Sequence, residues 1–263
     1  MNIFNPSIAT QHISSFLTET FKVAGKAKVV INWSGGIDST VSLYLLAKSI
    51  PVENITVLHL PYDQSYEDKF LPICNYLQIQ KSQYYVISIR TMVDEIKKIL
   101  KINDPFRLGN VMARIRMITV YDYAKKLNSL VCGTENRTEH LLGYFTRFGD
   151  GASDIEPIQY IYKTHIFELG SYLGIPSAIL KAQPTAGLWE GQTDEGEFGF
   201  SYKEADEVLS KYYDEKKTVE NIKQEGFLNA EKIIKFAKKN AFKHKVPYYL
   251  SSISIPGLGI LNA

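Results

Sequence analysis

The chain has 263 residues, of which 45% are hydrophobic and 22% charged, and its formal net charge is +2. That length accommodates one α/β domain with modest additions, and a core of this size needs no disulfide support. The charge is too small to imply a nucleic-acid partner, the composition is that of an ordinary globular protein, and no apolar run approaches membrane-spanning length.

Near the N-terminus, Asn5-Pro6-Ser7 leads into a helix-like stretch with no sign of a secretory leader. A β-branched run from Lys28 to Trp33 then reads as the first strand, and a helix is expected over about 39–49. Further strand-like runs cover about 54–60, 83–89 and 129–133, separated by helical segments at about 66–78, 91–101 and 108–127. Strands alternating with helices predict an α/β fold, an open and mostly parallel five-stranded Rossmann-like sheet with helices on both faces. Ligands in such folds sit at the carboxyl ends of the strands, so loops starting at Trp33, Pro61 and Gly133 should converge. Beyond Thr146 the pattern is less regular. A helix is expected from Thr164 to Tyr172, a long loop over 183–199 marked by Pro184, Gly187, Gly191, Asp194, Gly196 and Gly199, and helices again at about 202–212 and 228–242. The two cysteines, Cys74 and Cys132, form no framework and suit a reducing cytoplasm, with Cys132 read as a buried strand residue. The expectation is a cytoplasmic protein of one domain over 1–263.

The most informative stretch is Ser34-Gly35-Gly36-Ile37-Asp38-Ser39-Thr40, between the first strand and the next helix. Paired glycines let a backbone approach an anion, and Ser39 and Thr40 are expected to cap a helix whose N–H groups face a negative ligand. No Gly-Lys-Ser/Thr follows, so this is not a Walker A loop. It resembles instead the pyrophosphate loop of enzymes that split ATP into AMP and pyrophosphate, in which the aspartate, here Asp38, binds Mg²⁺. An ordinary glycine turn is the alternative.

After the fourth strand, Thr134 is placed to bind a nucleotide at the strand end, and Glu139 falls about one turn into the next helix. A carboxylate there can share a Mg²⁺ with Asp38, or can merely close a capping box. The segment from Gly143 to Asp154 supplies Tyr144 and Phe145 as a stacking face, Arg147 as an anion contact, and Asp150 and Asp154 as acceptors, although turn chemistry explains much of it. Arg114 and Arg116 lie two apart on a helix and point to different faces. Lys163, Thr185, His244 and Lys245 mean little singly.

Taken together, SGGIDS at 34–39, GNVMARIRM at 109–117, GTENRTE at 133–139, GYFTRFGDGASDI at 143–155, KAQPTAGL at 181–188, GQTDEGEFGFSY at 191–202 and HK at 244–245 resemble the ammonia-dependent NAD synthetase family over about residues 7–247. The resemblance implies a fold of the adenine-nucleotide alpha-hydrolase type with no amidase domain. It implies a ligase that amidates deamido-NAD with ammonia, through an acyl-adenylate, at the expense of ATP. Asn32, Trp33, Ser34, Gly35, Gly36, Ile37, Asp38, Ser39, Thr134, Lys163 and Thr185 match the family's ATP contacts. Asp38 and Glu139 match its Mg²⁺ ligands, and Arg114, Arg147, Asp154, His244 and Lys245 match its contacts to deamido-NAD. A homodimer with the dinucleotide at the subunit interface is implied as well. For the second step, which needs neutral ammonia, Asp150 is the expected proton acceptor. Ile37 stands where Gln is frequent, Arg147 where Lys is, and Val246 where Arg is common. The rival readings are a pyrophosphatase acting on a purine nucleotide or tRNA, and a non-catalytic nucleotide sensor. The presence of both Asp38 and Glu139 argues against the sensor.

Overall fold

The structure, a computed structural model, describes residues 4–63, 67–185, 191 and 193–248. Helix α1 (Pro6–Ala24) starts where Asn5 accepts from the Ile8 amide and Pro6 fills the first turn, and it stops at Gly25 in the left-handed region. Strand β1 (Lys28–Asn32) leads to α2 (Ile37–Ser49), then β2 (Ile55–His59), α3 (Glu67–Tyr76), β3 (Tyr84–Val86), α4 (Arg90–Ile99) and α5 (Pro105–Leu127). Strand β4 (Ser129–Cys132) is followed by the short α6 (Arg137–Leu142), then α7 (Lys163–Tyr172) and α8 (Ser177–Leu180). Four more α-helices follow, α9 (Asp194–Phe198), α10 (Tyr202–Leu209), α11 (Val219–Gln224) and α12 (Ala230–Asn240), with a π turn at Ser210–Asp214 and a 3-10 turn at Ala241–His244.

The sheet has four parallel strands in the order β3-β2-β1-β4, not the five expected. The chain does return beside β4, but it pairs there only through the bridge between Cys132 and Ile155. Two causes are local. The Asp154 carboxylate takes the Val131 amide at 2.8 Å, putting a side chain where a ladder bond would go, and Pro157 has no N–H with which to continue the pairing.

Alternation along β1 buries both faces of the sheet. Val29 and Ile31 join the core beneath α1, α2 and α7, whereas Val30 joins Leu58, Val93, Met112 and Ile115 beneath α4 and α5. Helix α2 is buried almost all round, from Ile37 through Leu46. A third cluster, including Leu142, Tyr202, Val208, Ile222 and Ile233, packs α10, α11 and α12 on α6. Cys132 is buried in β4 as read from sequence, and both cysteines are free. The expected loop over 183–199 contains helix α9, which Thr193 caps through the Gly196 amide, while 186–190 and 192 lie outside the described residues. No helix among the described residues is long and apolar enough to cross a membrane.

Candidate active site

The glycine loop leaves β1 at its carboxyl end, beside β4, where parallel sheets place ligands. Gly35 has φ +92°, a conformation that only glycine adopts without strain. The cap of α2 is Gly36, not Ser39 or Thr40, and as a glycine it offers the helix N-terminus no side-chain cap bond. Ser39 and Thr40 sit inside the first turn, and their hydroxyls donate back to the Gly36 carbonyl at 3.1 and 2.8 Å. Ser39 Oγ also accepts from the Ser34 amide, and Trp33 Nε1 donates to Thr40 Oγ1 at 2.9 Å, fixing the loop from below. These bonds leave the helix amides uncapped by side chains, which suits an anion. At the end of β1, Asn32 Oδ1 is buried and has no partner among the described residues.

Asp38, in the first turn of α2, faces two residues far along the chain. Its Oδ1 accepts from Asn136 Nδ2 at 2.9 Å and its Oδ2 from Lys163 Nζ at 2.5 Å. The same ammonium donates to Glu139 Oε1 at 2.9 Å. The Lys163 side chain is 3% exposed and each carboxylate 17%. Asn136 caps α6 by accepting from the Glu139 amide, so one residue orients both carboxylates. Glu139 is therefore held by an Asn cap and not by a capping box. The Tyr202 hydroxyl bonds Asp194 at 2.8 Å and lies 3.3 Å from Glu139, and the Lys163 ammonium sits 5.0 Å from the Tyr202 ring centroid.

Burial pushes the Glu139 carboxyl up, and Asp38 adds to this against the pull of Lys163. Burial works against the Lys163 ammonium, yet Asp38 and Glu139 together hold its pKa above the ordinary range. Two carboxylate oxygens converging on one cationic nitrogen form a hard-oxygen pair that fits Mg²⁺, which needs one or two carboxylates besides phosphate oxygens and water. No group of three or more His, Cys, Asp or Glu forms a metal cluster among the described residues. That is compatible with a cation completed by phosphate.

The other expected residues lie on α5 and on the segments following β4. Thr134 is half-buried at the strand end, and Thr185 is exposed at the edge of the described chain. Arg114 is exposed and donates to the Arg147 carbonyl at 3.2 Å, while Arg116 turns inward to the Leu60 carbonyl at 3.0 Å. Of the two arginines, Arg114 is the one open to a ligand. The Arg147 guanidinium lies 5.3 Å from the Phe148 ring and 5.5 Å from Phe242. Asp150 accepts from the Thr146 amide at 2.9 Å, closing a turn, and has no hydrogen bond to Asp38, Glu139 or Lys163. Asp154 is exposed, with one oxygen on Val131. His244 and Lys245 are exposed, and the His244 ring lies 4.3 Å from His140. Lys243 anchors this segment by donating to the Gly143 and Phe145 carbonyls at 2.7 and 2.8 Å.

Behind these loops lies a polar cluster that sequence reading did not single out. Glu135 Oε2 accepts from Gln159 at 3.0 Å and lies 3.1 Å from His140 Nδ1, and the Glu135 amide donates to Glu156 Oε2 at 3.0 Å. Burial, with help from Glu135 and Asp150, pushes the Glu156 carboxyl up to about 8. Asn136, Tyr202, Asp194, Thr138 and Asp206 were missed as well. The only signal for Asn136 was its position as an N-cap three residues before Glu139.

The family model for NAD synthase matches residues 9–247. The NH(3)-dependent NAD(+) synthetase of Fusobacterium nucleatum is 42% identical over 234 residues, covering 88% of this chain and 91% of its own. Among solved structures, NMN synthetase from Francisella tularensis superposes with a TM-score of 0.80 at 34% identity, over 94% of this chain and 99% of that one. The NH3-dependent NAD synthetase from Campylobacter jejuni does so with a TM-score of 0.79 at 30% identity, over 95% and 100%.

Proposed function

The chain belongs to the NAD synthase family, and on that premise we propose that it is an ammonia-dependent ligase converting deamido-NAD to NAD with ATP. The nicotinate carboxylate attacks the α-phosphorus, pyrophosphate leaves, and the acyl-adenylate reacts with ammonia to give the amide and AMP. A carboxylate is a poor electrophile, which is why activation precedes amidation. The observation that carries this reading is the convergence of Asp38, Glu139 and Lys163 beside a glycine loop on an uncapped helix.

Phosphoryl transfer needs positioning and charge neutralisation more than covalent help from the protein. The Gly35–Ser39 backbone and the Ser34 and Ser39 hydroxyls hold the pyrophosphate end of ATP. Asp38 and Glu139 would hold Mg²⁺, which supplies positive charge to the phosphate oxygens when bound. Lys163, whose buried ammonium bridges those carboxylates, would offer its charge to a phosphate oxygen. Thr134 and Thr185 contact the nucleotide, and Arg114, Arg147, Asp154, His244 and Lys245 contact deamido-NAD. Asp150 receives a proton as ammonium becomes ammonia. One synthetase domain over 1–263, a homodimer with the dinucleotide site at its interface, and a cytoplasmic location complete the reading. Free ammonia or a separate amidase supplies the nitrogen.

The likeness to NMN synthetase favours a second reading, in which the acceptor is nicotinate mononucleotide and the product NMN. One assay separates the two. Purified protein is given ATP, Mg²⁺ and an ammonium salt with either deamido-NAD or nicotinate mononucleotide, beside a glutamine control. NAD formed with ammonium and not with glutamine supports the first reading, and faster turnover of the mononucleotide replaces it with the second. The absence of pyrophosphate with both rejects the ligase.

A further inference from the structure

The start of α7 is capped in an unusual way. Tyr162, its N-cap residue, makes no side-chain cap bond, so the first amides need partners from elsewhere. Lys163 N donates to Thr138 Oγ1 at 2.9 Å, and Thr164 N donates to Asp206 Oδ2 at 2.8 Å. The Thr164 hydroxyl donates to the same oxygen at 2.7 Å, and Thr138 Oγ1 donates to Asp206 Oδ1. Asp206 thus ties together α6, α7 and α10 at the residue before Glu139 and the residue after Lys163. It is fully buried and forms no ion pair among the described residues. Burial pushes its carboxyl up, against the bonds from Thr138 and Thr164 and the charge of Lys163. On α10 it lies four residues after Tyr202, on the same face, and Tyr202 flanks the Lys163 ammonium.

A neutral side chain can cap a helix at less desolvation cost than a buried carboxylate. What the charge adds is a set of charge-assisted bonds at a helix N-terminus, which makes a stiffer anchor. On the ligase reading above, the Lys163 ammonium has to leave Asp38 and Glu139 for a phosphate oxygen. We propose that Asp206 is a positioning residue for this exchange: through Thr138 and Thr164 it locks the backbone of Lys163, so that the ammonium changes partners while the main chain stays in place.

The test uses the full chain with ATP, Mg²⁺, ammonium and whichever acceptor the parent turns over. Asp206→Asn is nearly isosteric, can still accept from Thr164 N and can donate to Thr138 Oγ1. The expected result is a fall in kcat for pyrophosphate release of about tenfold or more, with KM for the acceptor and for ammonium unchanged and with Tm close to the parent's. A parallel pair reaches the same relay without touching the carboxylate. Thr138→Val should reproduce the loss and Thr138→Ser should restore the parent's kcat. Parental kcat in Asp206→Asn and Thr138→Val overturns the proposal, as does a loss that disappears once activity is expressed per folded molecule. A parent that releases no pyrophosphate rejects the ligase reading and the brace together, whereas a working parent with equally active variants rejects the brace alone.

Discussion

Lys163 Nζ lies 2.5 Å from Asp38 Oδ2, although 125 residues separate the two in sequence. The ammonium also bonds Glu139, so one buried cation bridges two carboxylates from different helices. Lys163→Met leaves those carboxylates together without their shared cation, with only Asn136 on Asp38 and Tyr202 on Glu139. The variant should lose about 3–5 kcal/mol of stability, the cost of stranding buried charge. Mg²⁺ should restore part of that loss, and thermal unfolding with and without MgCl₂ measures both effects.

Asp38→Asn and Glu139→Gln remove charge without changing shape. Pyrophosphate release should fall by about 10²–10³-fold in each, the size seen when a main electrostatic contact to a transition state is deleted. Glu139→Gln should not unfold at a lower temperature, because it relieves crowding of like charge in a buried site. Rates and Tm measured on the same preparations separate the two contributions.

Burial pushes the Glu156 carboxyl up to about 8, from 4.5 ordinarily. Between those values the folded state holds a proton that the unfolded chain has lost, so the contribution of Glu156 to stability falls as pH rises through that window. Glu156→Gln cannot lose that proton. Its Tm relative to the parent should therefore climb between pH 5 and pH 8 and level off above, and melting curves across that range check it.

A methyl group on Gly133 would lie 1.9 Å from Glu156 Oε1. Gly133→Ala must therefore expel a carboxylate that accepts from Ser153 and from the Glu135 amide. A cost of about 1–3 kcal/mol is expected, the penalty for leaving buried groups without partners. The double variant Gly133→Ala, Glu156→Ala should cost less than the sum of the single changes, because the second removes the clash created by the first. Denaturant unfolding of the three variants closes the cycle.

Much of the fold was legible because its signals are local. Hydrophobic runs of strand length marked β1 to β4 to within a few residues, and Asn5-Pro6 is a strong helix start, whereas α5 begins at Pro105, three residues before the expected start. The absent fifth strand was harder to read, since Ile155 follows a carboxylate that takes a ladder amide and precedes a proline by two. At the site, the glycine loop and Glu139 were visible as a pattern. Asn136, Tyr202 and Asp206 were not, because their roles depend on which helices meet and no spacing along the chain encodes that. The capping assignment failed for a related reason. Ser39 and Thr40 are good cap types, but Gly35 and Gly36 turn the chain so sharply that the helix begins before them.

Tyr202 and Asp206 reach the Lys163 cluster from the last third of the chain, after every strand of the sheet has been made. A nascent polypeptide can therefore complete its sheet on the ribosome before the residues that flank and brace the lysine exist. The site is completed only when α10 has emerged and docked, and long-range closures of this sort are slow steps. A chain cut short before α10 would keep Asp38, Glu139 and Lys163 but lack the tyrosine and the carboxylate that pack behind them.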